Sequence, residues 1–263
     1  MNTLERIIGR KRQELPVMME NTPVKILEGM PGYARKTVSL TQSLLDPERT
    51  GIIAEFKRKS PSKGIFNSYA TVEEVTTGYF RAGASALSVL TDTEFFGGSS
   101  EDLIRAREIN PIPILRKDFI IDEYQVVESK AMGADAILLI AAVLDKATIK
   151  RLASLARSLH LQVILEVHDA AELAMVNDNI SVVGVNNRDL KDFSVDINRS
   201  LELAPLIAHD FIKISESGIH SVTALKQLKS SGYDGFLMGE RFMQEPDPAT
   251  AFAEFVKQLI QNS

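Results

Sequence analysis

Short apolar runs recur along the chain from residue 52 onward, and most of the segments between them have apolar residues at helical spacing among polar ones. In one such segment, Ile149, Leu152, Leu155 and Leu159 lie on a single stripe, as in an amphipathic helix. Uninterrupted apolar runs are typical of strands in a parallel sheet that is covered on both faces. The pattern therefore predicts strands alternating with helices. The predicted strands are IIAEF (52–56), ALSVL (86–90), IPIL (112–115), AILLI (136–140), QVILEV (162–167), SVVGV (181–185), FIKI (211–214) and GFLM (235–238).

A local motif also repeats, as AGASALSVL, MGADAILLI and SGYDGFLMG. In each copy a glycine closes a helical segment and a buried strand follows, and glycine suits the left-handed position that ends a helix. Such units predict parallel strands joined by crossover helices. Their number and the chain length fit an α/β fold of the TIM-barrel type, the (β/α)8 barrel. A doubly wound open sheet is the alternative, but it usually has fewer strands, and no G-x-G-x-x-G follows the first strand.

Residues 1–50 precede the first predicted strand and form a segment too long for a simple tail. Within them, TLERIIGRKRQEL predicts an amphipathic helix, and a linker would be richer in glycine and serine. We therefore expect residues 1–50 to form a helical extension that packs on a barrel of residues 51–263. The whole chain, 1–263, is then a single domain.

Composition excludes several classes of function. The 263 residues carry a net charge of -5 and have a sequence pI of about 5.5, which argues against a nucleic-acid partner. The chain has no cysteine, which excludes disulfides and thiolate ligands, and its four histidines lack the close spacing of a zinc motif. No apolar run approaches the roughly 18 residues of a membrane span, and the charged N-terminus does not resemble a signal peptide. We expect a cytoplasmic protein without a metal site or a membrane partner.

Charged residues cluster at the ends of the predicted strands. Glu55 and Lys57 close the first strand, and residues i and i+2 of a strand point to the same side. Lys117 follows the third strand, and Glu166 lies in the apolar end of the fifth. Any one of these charges could simply face solvent, but together they would meet at the barrel mouth, where TIM-barrel active sites lie. Because burying an unpaired charge costs several kcal/mol, we expect these groups to pair around one pocket and to supply acid–base groups.

Turns after three strands predict a phosphate site beside this pocket. SESG (215–218) and MGE (238–240) end the seventh and eighth strands, where TIM barrels often bind phosphate through backbone N–H groups. SPSKG (60–64) follows the first strand and adds hydroxyls, although in isolation it is also an ordinary polar turn.

Phenylalanines follow the second and third strands, as Phe95 and Phe96 in LTDTEFFGGS and as Phe119 after Lys117. Phenylalanine is usually a core residue, and Phe119 could be one. A core role is less easily reconciled with FFGGS, because that segment is predicted to be a loop. An apolar slot beside the charges indicates a substrate with a flat or ring-like end.

The motifs EFKRKSPSKG, SVLTDTEFFGGS, PILRKDFIIDEYQV, LEVH, GVNNRDL, ISESGI and MGE follow one another along the chain. In this combination the chain resembles the indole-3-glycerol phosphate synthase family, in its monofunctional form, from about Leu4 to Phe255. The resemblance implies a TIM barrel whose N-terminal helical extension lies over the mouth. It also implies conversion of 1-(2-carboxyphenylamino)-1-deoxyribulose 5-phosphate into indole-3-glycerol phosphate, carbon dioxide and water. This lyase reaction of tryptophan biosynthesis uses no metal or organic cofactor, and a phosphorylated small molecule is the implied partner.

The resemblance further implies roles for the strand-end residues. Lys117 would be the general acid that protonates the ketone oxygen, and Glu166 would be its acid–base partner. Glu55 and Lys57 would contact the substrate and assist dehydration. The remaining residues with an implied place in the site are Asn186 and Arg188 at the sugar and carboxylate, Ser217 at the catalytic centre, Ser60, Gly218, Gly239 and Glu240 at the phosphate, and Pro61, Phe96 and Phe119 around the ring.

Other functions would require different residues. An isomerase of an aminated ribulose phosphate would commonly use a Cys–Asp pair, and the chain has no cysteine. An inactive barrel that only binds ligands would be expected to lack Lys57, Lys117 or Glu166, and all three are present. Arg241 is a long cation where a small residue is expected beside the phosphate. We expect a monomer, with a homodimer as the alternative.

Overall fold

The computed structural model describes residues 2–189 and 193–261, and a closed barrel of parallel strands lies at its centre. Strands that follow one another along the chain pair in parallel, and the last strand pairs with the first. The TIM-barrel prediction is therefore confirmed. The barrel strands are β1 Ile52–Phe56, β2 Ala86–Leu90, β3 Ile114–Lys117, β4 Ala136–Ile140, β5 Gln162–Val167, β6 Val182–Asn186, β7 Ile212–Glu216 and β8 Gly235–Met238.

Helices precede the barrel and connect its strands. The helices before β1 are α1 Thr3–Asn21, α2 Val24–Glu28, α3 Pro31–Ala34 and α4 Leu40–Leu45. Those after it are α5 Val72–Arg81, α6 Thr93–Phe96, α7 Ser100–Ile109, α8 Glu123–Ala131, α9 Lys146–Ser158, α10 Asn198–Leu203, α11 Val222–Ser230, α12 Glu240–Met243 and α13 Pro248–Gln261. Two 3-10 helices lie at Glu172–Met175 and Ala204–Leu206, and a small hairpin joins Lys59–Ser60 to Gly64–Ile65.

The repeated glycines end helices as the motif predicts. Gly83, Gly133 and Gly232 all have a positive φ, of 96°, 88° and 94°. His160 takes the corresponding place after α9 with a φ of 61°, and the helix ends at Ser158, one residue before Leu159 of the predicted apolar stripe.

Three strands extend further toward their carboxyl ends than the apolar runs predict: β6 by one residue, to Asn186, and β3 and β7 by two residues each. The third run ends at residue 115, whereas β3 continues to Lys117, which pairs with Leu90 of β2. The seventh run ends at residue 214, whereas β7 continues to Glu216, which pairs with Asn186 of β6. Barrel pairing supplies hydrogen-bond partners to the backbone of these charged residues, and the side-chain pattern alone does not show this.

Alternation along each strand separates side chains that are neighbours in sequence. In β3, Leu115 belongs to the apolar cluster inside the barrel, and Lys117 lines a cavity at the strand ends. Arg116, between them, points outward and forms a 2.7 Å ion pair with Glu128 of α8. The barrel interior is therefore apolar toward the strand starts and charged toward the strand ends.

The N-terminal extension contacts both ends of the barrel. At the strand ends, Lys11 of α1 forms an ion pair with Asp118, directly after β3. At the strand starts, Gln162 accepts a hydrogen bond from the backbone N–H of Leu40, and Leu40 and Leu44 are buried against the interior cluster. That residues 1–50 cover the mouth stays a prediction, and it now concerns α1, since α4 packs at the opposite end.

The helices and the acidic and histidine side chains of residues 2–189 and 193–261 bear on other classes of protein. None of the helices there combines the length and apolar character needed to cross a membrane. In the same residues, no three His, Cys, Asp or Glu side chains are grouped so that they could bind a metal ion. Leu190, the last residue of the GVNNRDL motif, lies outside the described residues.

Candidate active site

A cavity of about 920 Å³, counted with the solvent at its opening, lies at the carboxyl ends of the strands. The predicted site residues that line it are Glu55, Lys57, Phe96, Lys117, Phe119, Glu166, Asn186, Arg188, Ser217, Gly218, Gly239 and Glu240. Ser60 and Pro61 lie outside this lining, because they belong to the hairpin after β1, where the Ser60 hydroxyl is 3.4 Å from that of Ser62. The barrel therefore brings charged groups from several strands to one place.

Lys117 lies among buried carboxylates. Its Nζ is 3.1 Å from Oε2 of Glu166 and 3.7 Å from Oε2 of Glu216, and each glutamate is only 1% exposed. Burial lowers the pKa of the Lys117 ammonium, but the attraction of the surrounding carboxylates outweighs it and raises that pKa well above its ordinary value. Lys117 is therefore a cation in the unliganded site.

Glu216 is a member of this group that the sequence analysis did not select. Burial raises the pKa of its carboxyl to about 7, and the neighbouring carboxylates add to that rise against the attraction of Lys117. Its Oε1 has no hydrogen-bond partner within residues 2–189 and 193–261. Gly184 of β6 leaves the space that Glu216 occupies, because a Cβ there would lie 2.4 Å from that oxygen. The sequence does contain a signal that Glu216 faces the barrel interior: it lies two residues after Ile214 in the same strand, as Glu55 lies two residues after Ile53.

Glu166 has a basic side chain on each side. Opposite Lys117, Nε2 of His168 lies 3.4 Å from Oε1 of Glu166. Burial would raise the pKa of the Glu166 carboxyl, but the two basic groups and a hydrogen bond from Asn186 lower it below its ordinary value. Burial lowers the pKa of His168, but the hydrogen bond to Glu172 and the charges of Glu166 and Glu172 outweigh burial, so the pKa of His168 is raised above its ordinary value. Glu166 and Glu216 thus have opposite pKa shifts although they share one lysine.

Glu55 and Lys57 form the pair that their spacing predicts. Nζ of Lys57 is 2.6 Å from Oε1 of Glu55, and Glu55 is buried. Gly239 of the MGE motif lies against this pair, since a Cβ there would be 2.6 Å from the Cβ of Glu55. Gly239 is therefore required by close packing, in addition to the phosphate contact that the resemblance implies.

Phe96 and Phe119 form an apolar wall of the cavity. Their ring centroids are 5.9 Å apart and their planes are inclined by 35°. Leu138 and Ile140 of β4 also line the cavity. Phe95 packs against the interior cluster, as Phe96 does, but is not part of the cavity lining. The cavity therefore has an apolar side that suits a flat ring.

The turn after β7 has an unusual backbone. Ser217 and Gly218 have positive φ values of 66° and 76°, and this conformation is unfavourable for a residue other than glycine. Nδ2 of the buried Asn187 donates hydrogen bonds to the Ser217 carbonyl and to Oγ of Ser215, both at 3.0 Å. A strained turn that is held by buried partners beside a cavity is typical of a binding site.

Glu240 pairs with two cations through its side chain. Its Oε1 is 2.7 Å from Nζ of Lys63, and its Oε2 is 2.9 Å from a guanidinium nitrogen of Arg188. Burial would raise the pKa of Glu240, but these cations lower it below its ordinary value. The MGE turn predicts a phosphate contact through backbone N–H groups, and it does not predict these two partners of the Glu240 carboxylate. Arg241, the unexpected long cation, forms a 2.8 Å ion pair with Glu245.

Comparison with known proteins gives a consistent result along the chain. A family model described as indole-3-glycerol phosphate synthase matches residues 4–255. A relative with that description from Bacteroides thetaiotaomicron is 43% identical over 256 residues, which cover 97% of this chain and 98% of the relative. A second, from Albidiferax ferrireducens, is 40% identical over 255 residues, which cover 95% and 97%.

Solved structures share the fold at low identity. A 3-hexulose-6-phosphate synthase from Salmonella typhimurium superposes with a TM-score of 0.60 at 16% identity, over 81% of this chain and 99% of its own. Another 3-hexulose-6-phosphate synthase gives a TM-score of 0.61 at 14% identity, over 78% and 98%.

Proposed function

Because the chain belongs to the indole-3-glycerol phosphate synthase family, we propose that Lys117 is the general acid of the ring closure that this family catalyses. The enzyme is a carboxy-lyase of tryptophan biosynthesis that converts 1-(2-carboxyphenylamino)-1-deoxyribulose 5-phosphate into indole-3-glycerol phosphate, carbon dioxide and water. The observation that carries the assignment of Lys117 is its ammonium, held between two buried carboxylates at the base of a cavity with an aromatic wall.

Ring closure joins the carboxyl-bearing carbon of the aromatic ring to the ketone carbon. The ketone oxygen takes up the displaced electron pair and a proton from Lys117, and so becomes a hydroxyl. Loss of the carboxylate as carbon dioxide then returns the electron pair of the broken bond to the ring. The ammonium also stabilises the negative charge that develops on the ketone oxygen.

One proton is consumed overall when the substrate carboxylate is ionised. Lys117 delivers this proton, and Glu216, whose pKa is raised to about 7 and which lies 3.7 Å from Nζ, is placed to return one to the lysine. Glu166, at 3.1 Å, stays ionised and holds the ammonium in place. The two glutamates therefore have different tasks because their pKa shifts differ.

Dehydration completes the indole ring. The hydroxyl leaves as water with a proton from Lys57, and the carbon beside the nitrogen loses a proton to Glu55. The contact of 2.6 Å between these two side chains allows the proton to return from Glu55 to Lys57. The pair is thus restored for the next turnover.

The substrate spans the cavity from its aromatic wall to its strained turn. Phe96 and Phe119 would receive the ring, and the backbone near Gly218 and Gly239 would receive the phosphate. Asn186, Ser217 and Arg188 line the space between them. The roles of Ser60 and Pro61, which lie outside the lining, stay predictions.

The test of this function is incubation with the carboxyphenylamino substrate while indole fluorescence is followed. The chain has no tryptophan, so the indole signal comes from the product alone. One carbon dioxide should be released for each indole formed. Consumption of the substrate without indole, or conversion of a different aminated ribulose phosphate into its isomer, would contradict the assignment.

We also propose that the enzyme acts in the cytoplasm as a monomer. The charged groups, the aromatic wall and the turn after β7 that the proposed chemistry uses all lie at the mouth of this one barrel, so that chemistry needs no group from a second subunit. Light scattering after size-exclusion chromatography should give a mass close to 29.1 kDa. A stable mass of twice that value would support the homodimer instead.

A further inference from the structure

Lys11 of α1 is a buried cation that the proposed chemistry does not use. Its side chain is 9% exposed, and its Nζ lies 3.0 Å from Oδ2 of Asp92 and 2.9 Å from Oδ1 of Asp118. A weaker contact of 3.7 Å joins it to Glu14 of its own helix. Burial lowers the pKa of Lys11, but the two aspartates outweigh this effect and raise it above its ordinary value. Lys11 is therefore charged and joins two loops of the barrel, those that follow β2 and β3.

Each of these aspartates holds the backbone of a phenylalanine that forms the aromatic wall. Oδ1 of Asp92 accepts hydrogen bonds from the N–H groups of Phe95 and Phe96, and so caps α6. Oδ1 of Asp118 accepts a hydrogen bond of 2.8 Å from the N–H of Phe119. The backbone that carries each ring is thus held by a carboxylate that is bound to the same lysine.

The two aspartates differ in their other partners. Asp118 is also paired with Arg116 at 3.2 Å and bonded to the hydroxyl of Thr91, and its pKa is lowered to about 2 because these partners and Lys11 outweigh burial. For Asp92, no cation other than Lys11 lies within ion-pair distance among residues 2–189 and 193–261. Without Lys11, the carboxylate of Asp92 would therefore lose its link to Asp118, and the loop after β2 would be joined to the end of β3 through the hydrogen bonds of Thr91.

We propose that Lys11 is a positioning residue for the aromatic end of the substrate, acting through Asp92 and Asp118 on the rings of Phe96 and Phe119. This inference rests on the proposed function, because it assigns to the aromatic wall the ring of that substrate. It gives α1 a definite task at the mouth, which is to hold the spacing and tilt of the two rings. Lys11 does not line the cavity, whereas both rings do, so it acts on them through the two aspartates.

The experiment compares Lys11→Met with Lys11→Arg and with the control Arg10→Met. Methionine keeps the apolar stem of the lysine, and arginine can bind both carboxylates through its planar fork. Arg10 provides a matched control because it also joins α1 to the segment after β2, through a 2.9 Å ion pair with Glu94 of α6, but at the surface and away from the phenylalanine N–H groups. Thermal unfolding of each variant shows which proteins are folded at the assay temperature.

Two probes separate the ends of the substrate. Indole-3-glycerol phosphate carries a ring and a phosphate, and its binding is followed by its own indole fluorescence; inorganic phosphate is measured by its competition with that ligand. In Lys11→Met, the dissociation constant of indole-3-glycerol phosphate should rise about tenfold, while that of inorganic phosphate should stay within about twofold of the wild type. Lys11→Arg should restore most of the loss, and Arg10→Met should bind both probes normally.

A lower unfolding temperature in Lys11→Met with unchanged affinity for both probes would overturn the proposal, since Lys11 would then only stabilise the fold. An equal loss of affinity for both probes would overturn it as well. If Lys11→Met is not folded, Asp92→Asn takes its place, because asparagine still caps α6 but weakens the pairing with Lys11. Unchanged affinity of Asp92→Asn for both probes, or an equal loss for both, would again overturn the proposal. Absence of synthase activity in the wild type would instead refute the proposed function.

Discussion

Replacement of Lys117 by methionine should remove most of the turnover and little of the substrate affinity. General acid–base catalysis typically contributes about 10²–10⁴-fold to a rate, and the lost stabilisation of charge on the ketone oxygen would add to this factor. We therefore expect kcat to fall by at least about 10²-fold. The Michaelis constant should change only slightly, because the aromatic wall and the turn near Gly218 are built from other residues.

The same variant should lose stability in a pH-dependent manner. Glu166 and Glu216 would remain buried without the cation that they share, and removing one partner of a buried ion pair costs about 3–5 kcal/mol. Glu216, whose pKa is already raised to about 7, can take up a proton and reduce this cost. A carboxyl with a raised pKa favours the folded state at low pH and loses this contribution as the pH rises. The variant should therefore be close to the wild type in stability at about pH 5 and clearly weaker at about pH 8.

Steady-state indole fluorescence measures the first effect, and urea unfolding at the two pH values measures the second. Lys57→Met is the control: its defect should be smaller, or should appear as carbon dioxide release that precedes indole formation. Near-normal kcat with a raised Michaelis constant in Lys117→Met would refute the reasoning. Lys117 would then be a binding residue, and the general acid would have to be sought at Lys57.

Three further predictions concern other parts of the molecule. Because the pKa of Glu216 is raised from 4.5 to about 7, the folded protein should lose up to about 3 kcal/mol of unfolding free energy as the pH rises across that interval. In urea unfolding, Glu216→Gln should show no such loss; parallel pH profiles for variant and wild type would contradict the raised pKa. Inorganic phosphate or sulfate should inhibit competitively with the substrate if the turn near Gly218 binds the phosphate, and purely noncompetitive inhibition would exclude this placement. Leu44→Ala should lower the unfolding free energy by about 2–5 kcal/mol with little change in kcat, because Leu44 is buried at the end of the barrel opposite to the cavity. An unchanged denaturation midpoint would show that α4 contributes no stability.

Local pattern was sufficient to predict much of this protein. Strands and helix ends depend on residues that are neighbours in sequence, so the apolar runs and the helix-ending glycines predict them. Together with the chain length they indicate a parallel barrel, and the barrel has the predicted number of strands. The i, i+2 spacing of Glu55 and Lys57 predicts their shared face for the same reason. Charges at strand ends also predicted the end of the barrel where the cavity lies, since parallel strands all end on one side.

The partner of each charge was decided only by tertiary structure. Arg116 and Lys117 are adjacent in sequence, yet one points to α8 and the other into the cavity, because barrel pairing extends β3 beyond its apolar run. Glu216 joins the site because Gly184, on the neighbouring strand, leaves the space for its side chain.

The N-terminal extension shows the same limit over a longer range. Amphipathic periodicity predicts a helix around Lys11, but not that its ammonium reaches Asp92 and Asp118, nor that Leu40 packs at the other end of the barrel. These contacts join residues that are far apart along the chain. Their energy depends on distance and burial in the folded molecule, and neither quantity is encoded in the spacing of residues along a single segment.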